Sequence, residues 1–275
     1  MQTHKKSRYV PELDGIRTVA IFSVLMHHGF SNRCPGGFLG VDLFFVLSGY
    51  LITRLLVAEF DTKSTINLSV FYIRRACRLM PAIFTTIIFA VLLRKITANN
   101  PNTLSDFQCA KSILLYYSNF LYGSIGNLNH TWSLSIEQQF YLIWPAILLI
   151  SFRFISLSAL LTTLSLTIMG CVALRCELML EHFQGFSLYT FTPTRIDTIL
   201  VGTLIGLTSE LPASDVIIKF LRKIYAPEIV MAIFLYLYLS QSQMIHGFTS
   251  EASPSSRFYV QAPLPATQKI DPTPH

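Results

Sequence analysis

Apolar residues run through this chain in long stretches, broken at intervals by isolated charged positions. Residues 16–28, 38–57, 79–93, 136–152, 154–174, 191–211 and 228–244 each read as a membrane helix. The run at 112–122 is apolar too, but at about a dozen residues it is short for a crossing and reads as an interfacial or re-entrant segment. From His246 the chain becomes rich in Pro, Ser, Thr and Ala, with no helical periodicity, so 246–275 reads as a disordered tail. The pattern predicts an all-α, polytopic integral membrane helical bundle of about seven to eight transmembrane helices, forming one domain over residues 1–245. No internal repeat is visible.

Orientation follows from the basic residues. Lys5, Lys6 and Arg8 place the N-terminus in the cytoplasm, and two crossings later Lys63, Arg74, Arg75 and Arg78 fall on the same side. Lys219, Arg222 and Lys223 join them only if 112–122 does not cross, which favours the re-entrant reading and about seven spans. Composition agrees with a membrane protein. The 275 residues are 52% hydrophobic and 13% charged, where a soluble domain carries about 25% charged residues, and the mean hydropathy is +0.49. The net charge of +6 does not point to nucleic acid, because the basic residues lie between apolar runs where they orient the chain in a bilayer. No cleavable signal peptide is evident. The five cysteines show no CxxC pairing and no metal-ligand spacing, so they read as buried or surface thiols and no metal is expected.

Against this apolar background the ionisable residues stand out, since charge inside a bilayer is costly and marks function by default. YVPELDGIRTVAIFSVLMHH (9–28) carries Asp14, Arg17, His27 and His28 into the first span. At about 100° per residue, Arg17 and His28 fall within roughly 20° of one helical face, and Asp14 within roughly 40° of His28. GGFLGVDLFFVLSGYLIT (36–53) places Asp42 in an apolar stretch beside glycines, which suit close helix packing or irregular backbone. FYIRRACRLMP (71–81) puts three arginines at the entrance of the third span, where Arg75 and Arg78 can share a face. They suit either phosphate recognition or anchoring at lipid headgroups. HTWSLSIEQQFYLIWP (130–145) sets Glu137 near a helix start, as a dipole-complementing acid or as the partner of a buried arginine. TPTRIDTILVGTLIG (192–206) carries Arg195 and Asp197, which point about 200° apart on a helix, so each needs a partner on a different neighbour.

These five motifs, in this order over about residues 9–207, resemble membrane acyltransferase family 3, the group of bacterial polysaccharide O-acetyltransferases and macrolide acyltransferases. The resemblance implies a multi-pass enzyme of the cell (inner) membrane that moves an acyl group, commonly acetyl. The implied donor is cytoplasmic acyl-CoA, as a co-substrate rather than a tightly bound cofactor. The implied acceptor is a hydroxyl of an envelope carbohydrate or lipid-linked glycan. It aligns His28, not His27, with the family histidine, and Arg17 with the motif arginine. Arg75 and Arg78 align with the paired arginines that handle the donor, Glu137 with the acid after WSL, and Arg195 with the later intramembrane arginine.

Chemistry gives each a role under that reading. A neutral imidazole at His28 could take the acceptor's proton as general base, with Asp14 or another acid orienting the ring. Arginine forks at 75 and 78 suit coenzyme A phosphates. Arg195 with Asp42 could face the substrate or stabilise the oxyanion. An acyl-histidine relay is an equally available route. Family members usually continue through further membrane helices after the TRIDTILVG region, so the chain is expected to be incomplete at its C-terminal side. The alternatives are an inactive truncated relative and a membrane transporter or flippase, since intramembrane charges also line transport paths.

Overall fold

The computed structural model describes residues 11–30, 35–96, 104–181 and 188–209. Among these residues it is helical, with no strand. The helices are α1 (Pro11–Gly29), α2 (Leu39–Lys63), α3 (Leu68–Ile96), α4 (Asp106–Leu114), α5 (Trp132–Phe154), α6 (Leu157–Leu180) and α7 (Thr192–Thr208). Short 3-10 segments occupy Pro35–Phe38, Ser118–Leu121 and Gly126–Thr131. Leu39–Lys63, Leu68–Leu93, Leu128–Phe154 and Leu157–Leu180 are long and apolar enough to cross a bilayer. The described part of the chain is therefore all-α, with the helices of a multi-pass membrane protein. The expected helix at 228–244, the tail at 246–275 and the basic clusters at 5–8 and 219–223 lie outside the described residues.

Local signals set the helix ends. α3 begins well upstream of residue 79, because the Asn67 side chain accepts a hydrogen bond from the Val70 amide at 3.1 Å and caps the first turn. Arg74, Arg75 and Arg78 therefore sit inside a helix rather than ahead of one. A capping box of Ser105 and Gln108 starts α4, and Ser156 caps α6 through the Ala159 amide. The 112–122 segment forms no spanning helix. α4 stops at Leu114, and Tyr116 adopts φ +56°, a left-handed conformation that a right-handed helix cannot pass through.

The largest core cluster joins Phe45, Trp132, Ile136, Phe140, Trp144 and Ile199 of α2, α5 and α7. A smaller one, with Ile83, Cys109, Ile113 and Leu128, fixes α4 and the following turns against the second half of α3. Large apolar side chains such as Phe22, Leu25, Phe89, Leu142 and Met169 point outward. Such an exterior is costly in water and ordinary in hydrocarbon.

α2 and α7 approach backbone to backbone. A Cβ on Gly49 would lie 2.0 Å from the Ile199 carbonyl oxygen, and one on Gly202 would lie 1.9 Å from that of Val46. Neither neighbour is a side chain that could swing away, so the small residues are what allow this seam. Gly202→Ala should lower stability by about 1–3 kcal/mol. Gly170→Ala in α6, where a Cβ meets nothing within 4 Å, should be neutral or stabilising. Thermal unfolding of the two variants in detergent checks this, and equal melting temperatures would contradict it.

Candidate functional site

The ionisable groups gather at three levels along α2, marked by Asp42, Ser48 and Glu59. At 1.5 Å per residue these lie about 9 Å and then about 16 Å apart along the axis.

At the Asp42 level the end of α1 docks on the start of α2. A Cβ on Gly37 would meet the Ser23 carbonyl oxygen at 2.2 Å and one on Gly40 that of Ala20 at 2.4 Å, so only glycine lets α1 come this close. The docking places His27 beside Phe38, and the His28 ring meets the His27 ring edge to face at 5.6 Å. The His27 ring packs edge-on against Phe38 at 6.1 Å between centroids. His28 is exposed, and its Nδ1 lies 2.9 Å from the Val24 carbonyl oxygen. A carbonyl only accepts, so Nδ1 carries the proton in this arrangement and Nε2 presents a lone pair.

One expectation fails here. Asp14 cannot orient the His28 ring, because fourteen helical residues separate the two by about 21 Å along α1. A shared face is not a shared level. Asp14 instead pairs with Arg17 at 3.2 Å.

Arg195 of α7 meets Asp42 of α2 at 2.5 Å. Its guanidinium lies 4.7 Å from the Tyr189 ring centroid and about equally far from Phe45 and Trp132, at 5.9 and 6.0 Å. Arg195 is buried, and its Nε has no hydrogen-bond partner among the described residues. Burial pushes the Tyr189 phenol up to about 12, against the opposing pull of Arg195, so it remains a protonated hydroxyl at neutral pH. Asp197 turns the other way and pairs with Arg175 of α6 at 2.5 Å, as the 200° separation requires. Removing one member of that pair strands a charge in a low-dielectric setting. Asp197→Leu should therefore cost about 3–5 kcal/mol, and Arg175→Met on top of it should restore much of the loss. Additive losses in a double-mutant cycle of thermal unfolding would refute this coupling.

At the Ser48 level the Ser48 hydroxyl donates to Glu137 of α5 at 2.6 Å. Arg75 and Arg17 are the cations whose charges act on Glu137. The Arg75 guanidinium lies 3.7 Å from the Tyr141 ring centroid, and the Tyr141 hydroxyl interacts with both Ser48 and Arg75. Glu137 thus bonds Ser48 directly and lies within electrostatic reach of two half-buried arginines. Neighbouring polar side chains hold α5 in place. Gln139 donates to the Tyr116 carbonyl at 2.7 Å and accepts from Thr192 at 2.7 Å, while Ser118 and Ser135 bond at 2.7 Å.

At the Glu59 level a cavity of about 140 Å³ opens between α2 and α3. Arg74, Arg75, Arg78 and Glu59 give it charge, and Ile52 and Phe71 are among its apolar walls. Glu59 is held by Lys63 at 2.9 Å. Arg74, Ser48, Tyr141, Tyr189 and Arg175 were not singled out as site residues by the sequence. Tyr141 had a signal, lying one turn after Glu137 on the same face. The others depend on which helices become neighbours. Among the described residues, no group of three His, Cys, Asp or Glu gathers to hold a metal.

Residues 10–208 match the family described as an acyltransferase domain. A provisionally named O-acetyltransferase of Staphylococcus aureus (strain COL) is 33% identical over 217 residues, 74% of this chain and 35% of that protein. A provisionally named peptidoglycan O-acetyltransferase of Bacillus subtilis (strain 168) is 35% identical over 213 residues, 73% of this chain and 33% of that protein. The peptidoglycan O-acetyltransferase OatA of Listeria monocytogenes serovar 1/2a is 37% identical over 165 residues, 56% and 26% of the two chains. The chain thus spans about a third or less of the length of these curated relatives. No solved structure matches it.

Proposed function

Given that the chain belongs to acyltransferase family 3, we propose that it is an O-acetyltransferase that moves an acetyl group from acyl-CoA to a hydroxyl of an envelope glycan. Peptidoglycan-like sugars are the acceptor class suggested by the relatives' names. The observation that carries this reading is the three-level array along α2. An arginine-lined cavity sits near one end, the Glu137–Ser48 pair in the middle, and Asp42, Arg195 and His28 at the other. A donor with phosphates at one end and a thioester on a long arm fits such an array. So does an acceptor that approaches from the opposite face.

In the proposed reaction the acceptor oxygen attacks the thioester carbonyl carbon. A tetrahedral oxyanion forms, the carbon–sulfur bond breaks, and the acceptor's proton ends on the departing thiol. His28 Nε2 takes that proton as general base and gives it up to the sulfur. An arginine facing the oxyanion, for which Arg195 is at the right level, lowers the barrier, since fixed charge counts for more in a low-dielectric site. From the level of Arg17 to His28 is about 16 Å along α1. The acyl arm must therefore extend past Glu137, or the acyl group must be handed on; direct transfer and an acyl-enzyme relay both satisfy the geometry. Asp14 serves by pairing Arg17. The charge rule supports placing the basic cavity end, and with it the N-terminus, in the cytoplasm.

The test is thiol release. Membranes containing the chain, supplied with acetyl-CoA and envelope glycan, should liberate free coenzyme A only when both substrates are present. A transporter would release none, and neither would an inactive relative.

A further inference from the structure

The i, i+3 spacing of Arg75 and Arg78 suggests one joint anion site, but their surroundings differ. Arg75 is half-buried. Its guanidinium carbon lies over the Tyr141 ring at 3.7 Å, its charge acts on Glu137, and its Nε is buried with no hydrogen-bond partner among the described residues. Arg74 and Arg78 are exposed at the same cavity. By helical geometry Arg78 lies about 40° from the direction of Arg74 and about 60° from that of Arg75, with Arg74 and Arg78 about 6 Å apart along the axis. The exposed pair is the better fork for neighbouring phosphates.

Resting on the donor reading above, we propose that the arginines divide the donor between them. Arg74 and Arg78 hold its phosphates at the mouth of the α2–α3 cavity. Arg75 makes no phosphate contact and is a positioning residue that fixes Glu137 and Tyr141 along the path of the acyl arm. A guanidinium held over Tyr141 cannot swing out to a phosphate without giving up the ring and moving its charge away from Glu137. Arg74 and Arg78 carry no such obligation. The acid at this level does not block the anion site, because Lys63 holds the Glu59 carboxylate.

The experiment compares acetyl-CoA with acetyl-pantetheine, which has the same thioester arm without the nucleotide phosphates, and measures binding of adenosine 3′,5′-bisphosphate to the purified protein in detergent. Combined Arg74→Gln and Arg78→Gln should raise KM for acetyl-CoA about tenfold or more with kcat nearly unchanged, and should weaken bisphosphate binding similarly. The KM penalty should vanish with acetyl-pantetheine. Arg75→Lys, which keeps the charge but not the planar stack, should lower kcat about tenfold or more on both donors while bisphosphate binding holds. Bisphosphate binding lost equally in Arg75→Lys would overturn the division, as would a KM penalty that persists with acetyl-pantetheine. A wild-type protein that binds no bisphosphate and uses neither donor would instead remove the acyl-CoA reading itself. Binding is measured on folded protein, so a variant that fails only in turnover still reports.

Discussion

Replacing His28 by alanine should lower acetyl transfer by about 10²–10⁴-fold, the usual contribution of a positioned general base, while His27→Ala should leave it within a few-fold. The two histidine rings meet edge to face at 5.6 Å, but their other contacts differ. His27 spends its ring on Phe38 at the α1–α2 junction. His28 is exposed and bonds the Val24 carbonyl through Nδ1, which leaves Nε2 as an unencumbered acceptor of a proton. Neither change creates a cavity in the main core, since neither side chain belongs to it. Protein levels in the membrane should therefore stay close to wild type. Equal loss of transfer in both variants, at equal protein levels, would contradict the assignment of the base to His28.

Glu137→Gln should lower transfer by about 10²-fold or more with little effect on insertion. The amide is nearly isosteric and can still accept the hydrogen bond from Ser48. What disappears is the negative charge that acts on Arg75 and, beyond its Asp14 partner, on Arg17. Arg75 then loses the acid that attracts it, so its arrangement with Tyr141 should loosen. The substitution separates two roles that alanine would confuse. If Glu137 only fills space and bonds Ser48, glutamine should behave as wild type in both transfer and melting. If it sets the electrostatics of the centre, transfer falls while the protein remains folded. Glu137→Asp offers an intermediate case, retaining charge at the cost of reach, and should recover part of the activity.

Much of the architecture was legible because hydrocarbon imposes a simple rule. Backbone groups must be satisfied within the segment, so long apolar runs become helices, and α2, α5 and α6 fall close to the expected positions. Helix ends were less legible. The cap at Asn67 outweighs the polar look of FYIRRACR and draws three arginines into α3. The site divides in the same way. Within one helix, angular spacing was informative, and Arg195 and Asp197 found separate partners on α2 and α6. Angle without height misled at Asp14, which shares a face with His28 but not a level. Contacts between helices were not readable at all from the chain. Ser48 with Glu137, and Arg75 with Tyr141, depend on how α2, α3 and α5 pack. That packing is decided in part by glycines on α2, which the sequence marked for close packing, and on α7, where the two backbones meet at Gly202.

The most direct test of the account is sided transfer in proteoliposomes that contain this chain, with labelled acetyl-CoA on one face and a peptidoglycan-derived oligosaccharide on the other. The account predicts label on the oligosaccharide, ester-linked and removable by mild base, reaching it from only one orientation of donor and absent with His28→Ala or Glu137→Gln. A stably inserted wild-type protein that transfers no label in either orientation, or transfer that survives both substitutions, would contradict it.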